Sequence, residues 1–108
     1  MNSINRAAVV VRPKAPFFEW VRSLEGGLPE TTEPWTSVYL VDAGESEESG
    51  RVLRRCFASI FEEQLDGWHR STEDWPKPRT MALFQEWFHV EVVDLVFDLS
   101  GGPIEHDE

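Results

Sequence analysis

The stretch VVVRPKAPFFEW, residues 9–20, ends an apolar run on two cations, Arg12 and Lys14, just before an aromatic segment opens. In open sheets with helices, ligands gather beyond the carboxyl ends of strands, and helix N-termini attract anions. Arg12 and Lys14 could therefore clamp a phosphate or a carboxylate. No glycine-rich loop accompanies them, and Pro13 and Pro16 remove two backbone donors that an anion cradle would use. The alternative is a solvated corner whose charges pair with neighbouring carboxylates.

The histidines, His69, His89 and His106, show no metal-ligand spacing and no nucleophile at a fixed offset. Each reads as a surface or hydrogen-bonded histidine; no metal site and no cofactor is expected. Asp94 and Asp98 share one face of a strand-like segment and read as solubilising charges, with Arg6 as a partner if that face is covered. Arg51, Arg54 and Arg55 form the densest basic cluster; Glu47 stands four residues before Arg51, a favourable helical pair. Among the five tryptophans, Trp20 and Trp87 fit apolar helix faces, whereas Trp35, Trp68 and Trp75 lie in or beside loops. The stretch WHRSTEDWPKPR, residues 68–79, concentrates aromatic, basic and proline residues on a connection. Trp68, His69, Trp75 and Arg79 are the expected contacts if the chain binds another protein.

Composition narrows the classes. The chain has 108 residues and a net charge of -10, with 20 acids against 10 bases. Such a field opposes binding to a nucleic-acid backbone or an acidic membrane surface and favours a basic or neutral protein partner. Seven Phe and five Trp in a chain that is 41% hydrophobic supply one packed core. The lone Cys56 allows no internal disulfide and reads as a small buried hydrophobe. No apolar run approaches the ~18 residues of a membrane span, and the N-terminal run is too short for a signal-peptide core. A cytoplasmic location is the expectation.

The elements that position these residues follow from periodicity. Residues 6–11 are nearly all apolar and β-branched, as in a central strand, with Pro13 as its break. Pro16 suits the first position of a helix with Phe17, Trp20, Val21 and Leu24 on one face, stopped by Gly26 and Gly27. A proline-bearing loop, 28–35, leads to a second strand, 37–41. A turn at 42–44 and an N-cap at Ser46 precede the strongest helical pattern. Its stripe is Val52, Leu53, Cys56, Phe57, Ile60, Phe61 and Leu65, ended by Gly67. The 68–79 connection holds a single helical turn over 71–75, with Ser71 and Asp74 as a weak capping box. Thr80 caps a short helix to Phe88, and residues 90–99 read as a third strand. From Val93 onward, Val93, Leu95, Phe97 and Leu99 are expected inward, with a bulge at Val92–Val93.

This order, β-α-β-α-α-β, predicts an α/β domain, with α+β as the alternative. The sheet has three strands with the first central, and helices pack upon it. The first β-α-β is expected to be a right-handed parallel crossover. Residues 1–99 form the single domain, and 100–108 a flexible acidic tail. The segments VVRPKAPFFEWVRSL, VYLV, IFEEQLDGW, DWPKPRT and FQEWFHVEVVDLVFDL resemble a family of small bacterial proteins to which no activity is attached. The resemblance implies a compact bacterial cytoplasmic domain and assigns no residue a role. The leading expectation is a non-catalytic protein-binding or regulatory module. The alternative is a small anionic-ligand-binding protein or enzyme using Arg12 and Lys14. Exposed sheet edges also make a homodimer an expectation.

Overall fold

A computed structural model describes residues 2–24, 34–42 and 48–106. The elements run β1 (Asn2–Ser3), β2 (Ala7–Pro13), α1 (Ala15–Ser23), β3 (Ser37–Val41), α2 (Ser49–Asp66), a 3-10 turn (Thr72–Asp74), α3 (Met81–Trp87), β4 (Phe88–Val93) and β5 (Phe97–Asp98). The main sheet has the order β3-β2-β4, so the first long strand is central, as its apolar run predicts. Helices pack against this sheet, a mixed arrangement of the α+β kind, because both neighbours of β2 run antiparallel to it.

The expected parallel crossover is therefore corrected. Val11 pairs with Ser37, so the chain enters β3 beside the end of β2 that it has just left. Helix geometry supplies a reason. The nine residues of α1 rise only about 13 Å, whereas the seven of β2 span about 24 Å. A helix that short does not by itself carry the chain back to the start of the strand. β2 also runs two residues further than expected, through a buried Pro13 paired with Phe88. A proline at a strand end forfeits little pairing.

Alternation along β2 sends Val9 and Val11 into the core, where they meet Phe17, Val21, Leu53, Ile60, Phe61, Leu65, Phe84 and Phe88. The stripe expected on α2 is largely the buried face: Val52, Leu53, Ile60, Phe61 and Leu65 are buried, and Cys56 and Phe57 half-buried. Phe61 and Phe17 are the aromatic hubs. The ring of Phe61 lies 5.6 Å from those of Phe84 and Phe88 and 5.9 Å from Trp87. That of Phe17 lies 5.1 Å from Phe88 and 5.8 Å from Trp35. Aromatic pairs at such spacings add to their area burial.

Helix ends show what local chemistry decides. Thr80 caps α3 as expected, its hydroxyl accepting from the Leu83 amide at 3.1 Å. α1 starts at Ala15 after Lys14, which puts Pro16 in the first turn at the second position. The residue before α2 is Glu48. The proposed stop at Gly26–Gly27, the turn at 43–44, the Ser46 cap and the Glu47–Arg51 pair lie outside the described residues, as does most of the 28–35 loop. The turn expected over 71–75 is the 3-10 turn, but Ser71 makes no side-chain cap, so its capping box is not formed.

The C-terminal strand departs most from expectation. It divides into β4 and β5, and β5 pairs with β1 as a separate two-stranded ribbon. Ala8 faces Val93, whereas Ser3 faces Phe97. Four residues, 4–7, therefore oppose three, 94–96, and the extra one lies on the N-terminal strand rather than at Val92–Val93. Leu95, Phe97 and Leu99, expected inward, are 67%, 50% and 77% exposed. Residues 100–106 are exposed and without regular structure. No helix among the described residues is long and apolar enough to cross a membrane.

Candidate functional site

The expected contact residues separate into two groups. His69, Trp75 and Arg79 hold the 68–79 connection together. A carboxylate can only accept, so the 2.7 Å contact between His69 Nε2 and Asp74 Oδ2 is donated by the imidazole. The Trp75 indole donates to the His69 carbonyl at 2.7 Å, and the Trp20 indole donates to the Asp74 carbonyl at 3.0 Å. The Arg79 guanidinium lies 5.5 Å above the Trp75 ring, donates to the Pro76 carbonyl and stands 3.9 Å from Glu62. These side chains latch the loop onto α1 and α2. Among the described residues the side-chain partner of the His69 ring is Asp74.

Trp68 belongs elsewhere. It is 43% exposed, and its ring lies 5.3 Å from that of Trp35 with 35° between the planes. Together with Ser37, Glu63, Gln64 and Gly67, these two indoles line an open cleft of about 300 Å³. The elements explain the convergence. Trp35 and Ser37 lead into β3, Glu63 and Gln64 occupy the last turn of α2, and Gly67 turns the chain toward Trp68. Trp35 is fixed from below by Phe17 and by Phe18, the latter at 5.4 Å.

The floor of the cleft is Gln64, the buried polar residue among those described, at 6% exposure. Its amide is hydrogen-bonded on both sides. Nε2 donates to the Tyr39 hydroxyl at 2.7 Å and to Ser37 Oγ at 3.1 Å, and Oε1 accepts from Trp35 Nε1 at 3.3 Å. The Tyr39 hydroxyl in turn donates to Glu63 Oε1 at 3.3 Å. A directed chain thus runs from the buried amide through the phenol to an exposed carboxylate, and one side chain fixes an indole, a serine, a tyrosine and, through it, an acid. A buried network satisfied in this way is rigid.

The electrostatics follow from the same geometry. Burial, opposed by the Gln64 hydrogen bond and reinforced by the Glu63 charge, pushes the Tyr39 hydroxyl up to about 12. The phenol is neutral at physiological pH and available as a donor. Because its folded value lies above the usual 10, its contribution to stability is complete below pH 10 and fades as pH rises toward 12. The chain has a single tyrosine, so the pH-dependent rise in absorbance near 295 nm, above the constant background of the five tryptophans, reports its ionisation. The expected ionisation is centred near pH 12 or coincides with unfolding. A midpoint near 10 in the folded chain would contradict the burial of the Tyr39 hydroxyl, the largest cause of its raised value.

Arg12 and Lys14 do not line this cleft. Arg12 is exposed on the outer sheet face, opposite His89 on β4. Lys14 reaches across to α3, where Nζ donates to the Gln85 carbonyl at 2.9 Å. Arg6 lies 3.6 Å from Asp42 rather than serving Asp94 or Asp98. Burial pushes the Cys56 thiol up against the opposing effect of Arg55, which disfavours the reactive thiolate. No group of three or more His, Cys, Asp or Glu able to hold a metal ion occurs among the described residues.

Sequence reasoning missed Gln64 and the Tyr39–Glu63 pair. A signal was present: Gln64 lies four residues after Ile60 and one before Leu65, a polar residue set into the apolar stripe of α2. The fold and the cleft define a small domain of helices on an antiparallel sheet, with an open, indole-walled site at one end of β3. No protein-family model, curated protein or solved structure matches the chain.

Proposed function

We propose that this chain is a non-catalytic binding module that docks a protein partner at the Trp35–Trp68 cleft. The observation that carries the reading is the half-exposed Trp68 ring, resting on a Trp35 that Gln64 holds in place. Indoles are rigid and amphipathic, and they dominate the energetics of interfaces when fixed before binding. A satisfied network beneath them removes the ordering cost that a mobile aromatic loop would incur. The reading keeps the cytoplasmic, bacterial setting expected from the sequence and favours no nucleic acid or membrane.

The anionic-ligand reading finds less support. Lys14 is engaged with a backbone carbonyl, and Arg12 sits on an open sheet face. Self-association has its own surface: Val38, 59% exposed, and Leu40, 48% exposed, stand on the outer face of edge strand β3.

The test is quantitative co-purification from cells expressing the tagged chain. Proteins recovered with the wild type should be lost with Trp68→Ala and retained with Arg12→Ala. The reverse pattern, or a thermal shift with phosphate that Arg12→Ala abolishes, would refute the assignment.

A further inference from the structure

We infer that the cleft receives a cationic side chain of its partner, an arginine guanidinium, with Glu63 as its counter-charge. This rests on the reading of the cleft as the docking surface. Among the described residues lining the cleft, Glu63 is the charged one and none is basic. The neighbouring Glu62 stands 3.9 Å from Arg79, whereas Glu63 makes no ion pair among the described residues. An exposed carboxylate beside two indoles, with no cation of its own, matches a cation that the partner supplies.

The donors and acceptors favour a cation over other occupants. Both N–H groups of the Gln64 amide are committed to Ser37 and Tyr39, so the floor offers a ligand no amide donor. An anion would meet the Glu63 carboxylate at the rim. A cation gains from the negative faces of the indoles and from Glu63 together. The Tyr39 hydroxyl donates to Glu63 Oε1, which leaves acceptor capacity on the carboxylate for a further donor. Arginine fits this frame better than lysine: its plane lies flat on an indole while its edge forks to the carboxylate. The Trp35 and Trp68 rings touch, so the guanidinium lies across them rather than between them. The net charge of -10 steers basic segments toward the chain.

The test is a titration of the full chain with N-acetyl-arginine amide, N-acetyl-lysine amide and N-acetyl-citrulline amide, read at the indole N–H resonances of Trp35 and Trp68. Citrulline keeps the shape of arginine and lacks its charge. The expected result is a saturable shift of both indoles with arginine, about fivefold tighter than with citrulline and tighter than with lysine. Glu63→Gln preserves an acceptor for Tyr39 and should erase the preference over citrulline. Citrulline binding as well as arginine would overturn the inference, even if the Glu63 variant failed to fold. Lysine binding as tightly would overturn the guanidinium assignment. Indoles unmoved by all three probes would overturn it as well, while partner recovery that depends on Trp68 would still uphold the docking surface.

Discussion

Phe61→Ala should remove about 3–5 kcal/mol of folding stability, the cost of truncating a large aromatic in a packed interior. Phe61 is fully buried and touches the rings of Phe84, Trp87 and Phe88, so its loss opens a cavity between α2, α3 and β4 together. A domain of this size has about 5–15 kcal/mol in all, so the variant should lose a substantial fraction of its stability. Urea denaturation followed by tryptophan fluorescence measures it. Phe61→Leu, which keeps most of the volume, should lose far less. A loss below about 1.5 kcal/mol for the alanine variant would mean that α2 is not seated on β4 as described.

Gln64→Leu should cost about 1–3 kcal/mol, although leucine is apolar and similar in size. The substitution leaves the Trp35 indole N–H and the Ser37 and Tyr39 hydroxyls without their shared partner. Solvent in the open cleft recovers part of the loss, which keeps the estimate below that for Phe61. The variant carries a second signature. Gln64 lowers the Tyr39 value that burial raises, so removing it should push Tyr39 ionisation higher still. The Trp35 indole N–H should also exchange faster with solvent. A Gln64→Leu chain as stable as the wild type, with Tyr39 titrating at the same pH, would show that the network is not what holds the cleft.

Much of the fold is legible in the sequence because it rests on local signals. The apolar run of β2, the stripe of α2 and the Thr80 cap each state their structure within one segment. The direction of β3 does not, since it is set by pairing with a distant segment rather than by any local signal. Nor does the fate of residues 94–99. Alternation identifies a strand-like segment there, but a one-residue difference between 4–7 and 94–96 decides pairing and faces. Leu95, Phe97 and Leu99 accordingly lie outside the core.

The candidate site was half legible. Trp68 stood out as a loop aromatic beside a basic, proline-rich connection. Trp75, His69 and Arg79 carried the same signal, yet their hydrogen bonds and ring contacts bind the loop to its own domain. Composition cannot separate an aromatic that closes a core from one that opens onto solvent; partners such as Gln64 do, and they come from distant segments.

The most direct measurement of the central claim is site-specific photo-crosslinking in living cells. A photoreactive residue at exposed Asp66, next to Gly67 on the cleft, is compared with one at Glu91 on the outer sheet face. The account predicts a discrete protein adduct from position 66 that disappears with Trp68→Ala, and none from position 91. Adducts from position 91 alone, or from position 66 regardless of Trp68, would contradict it.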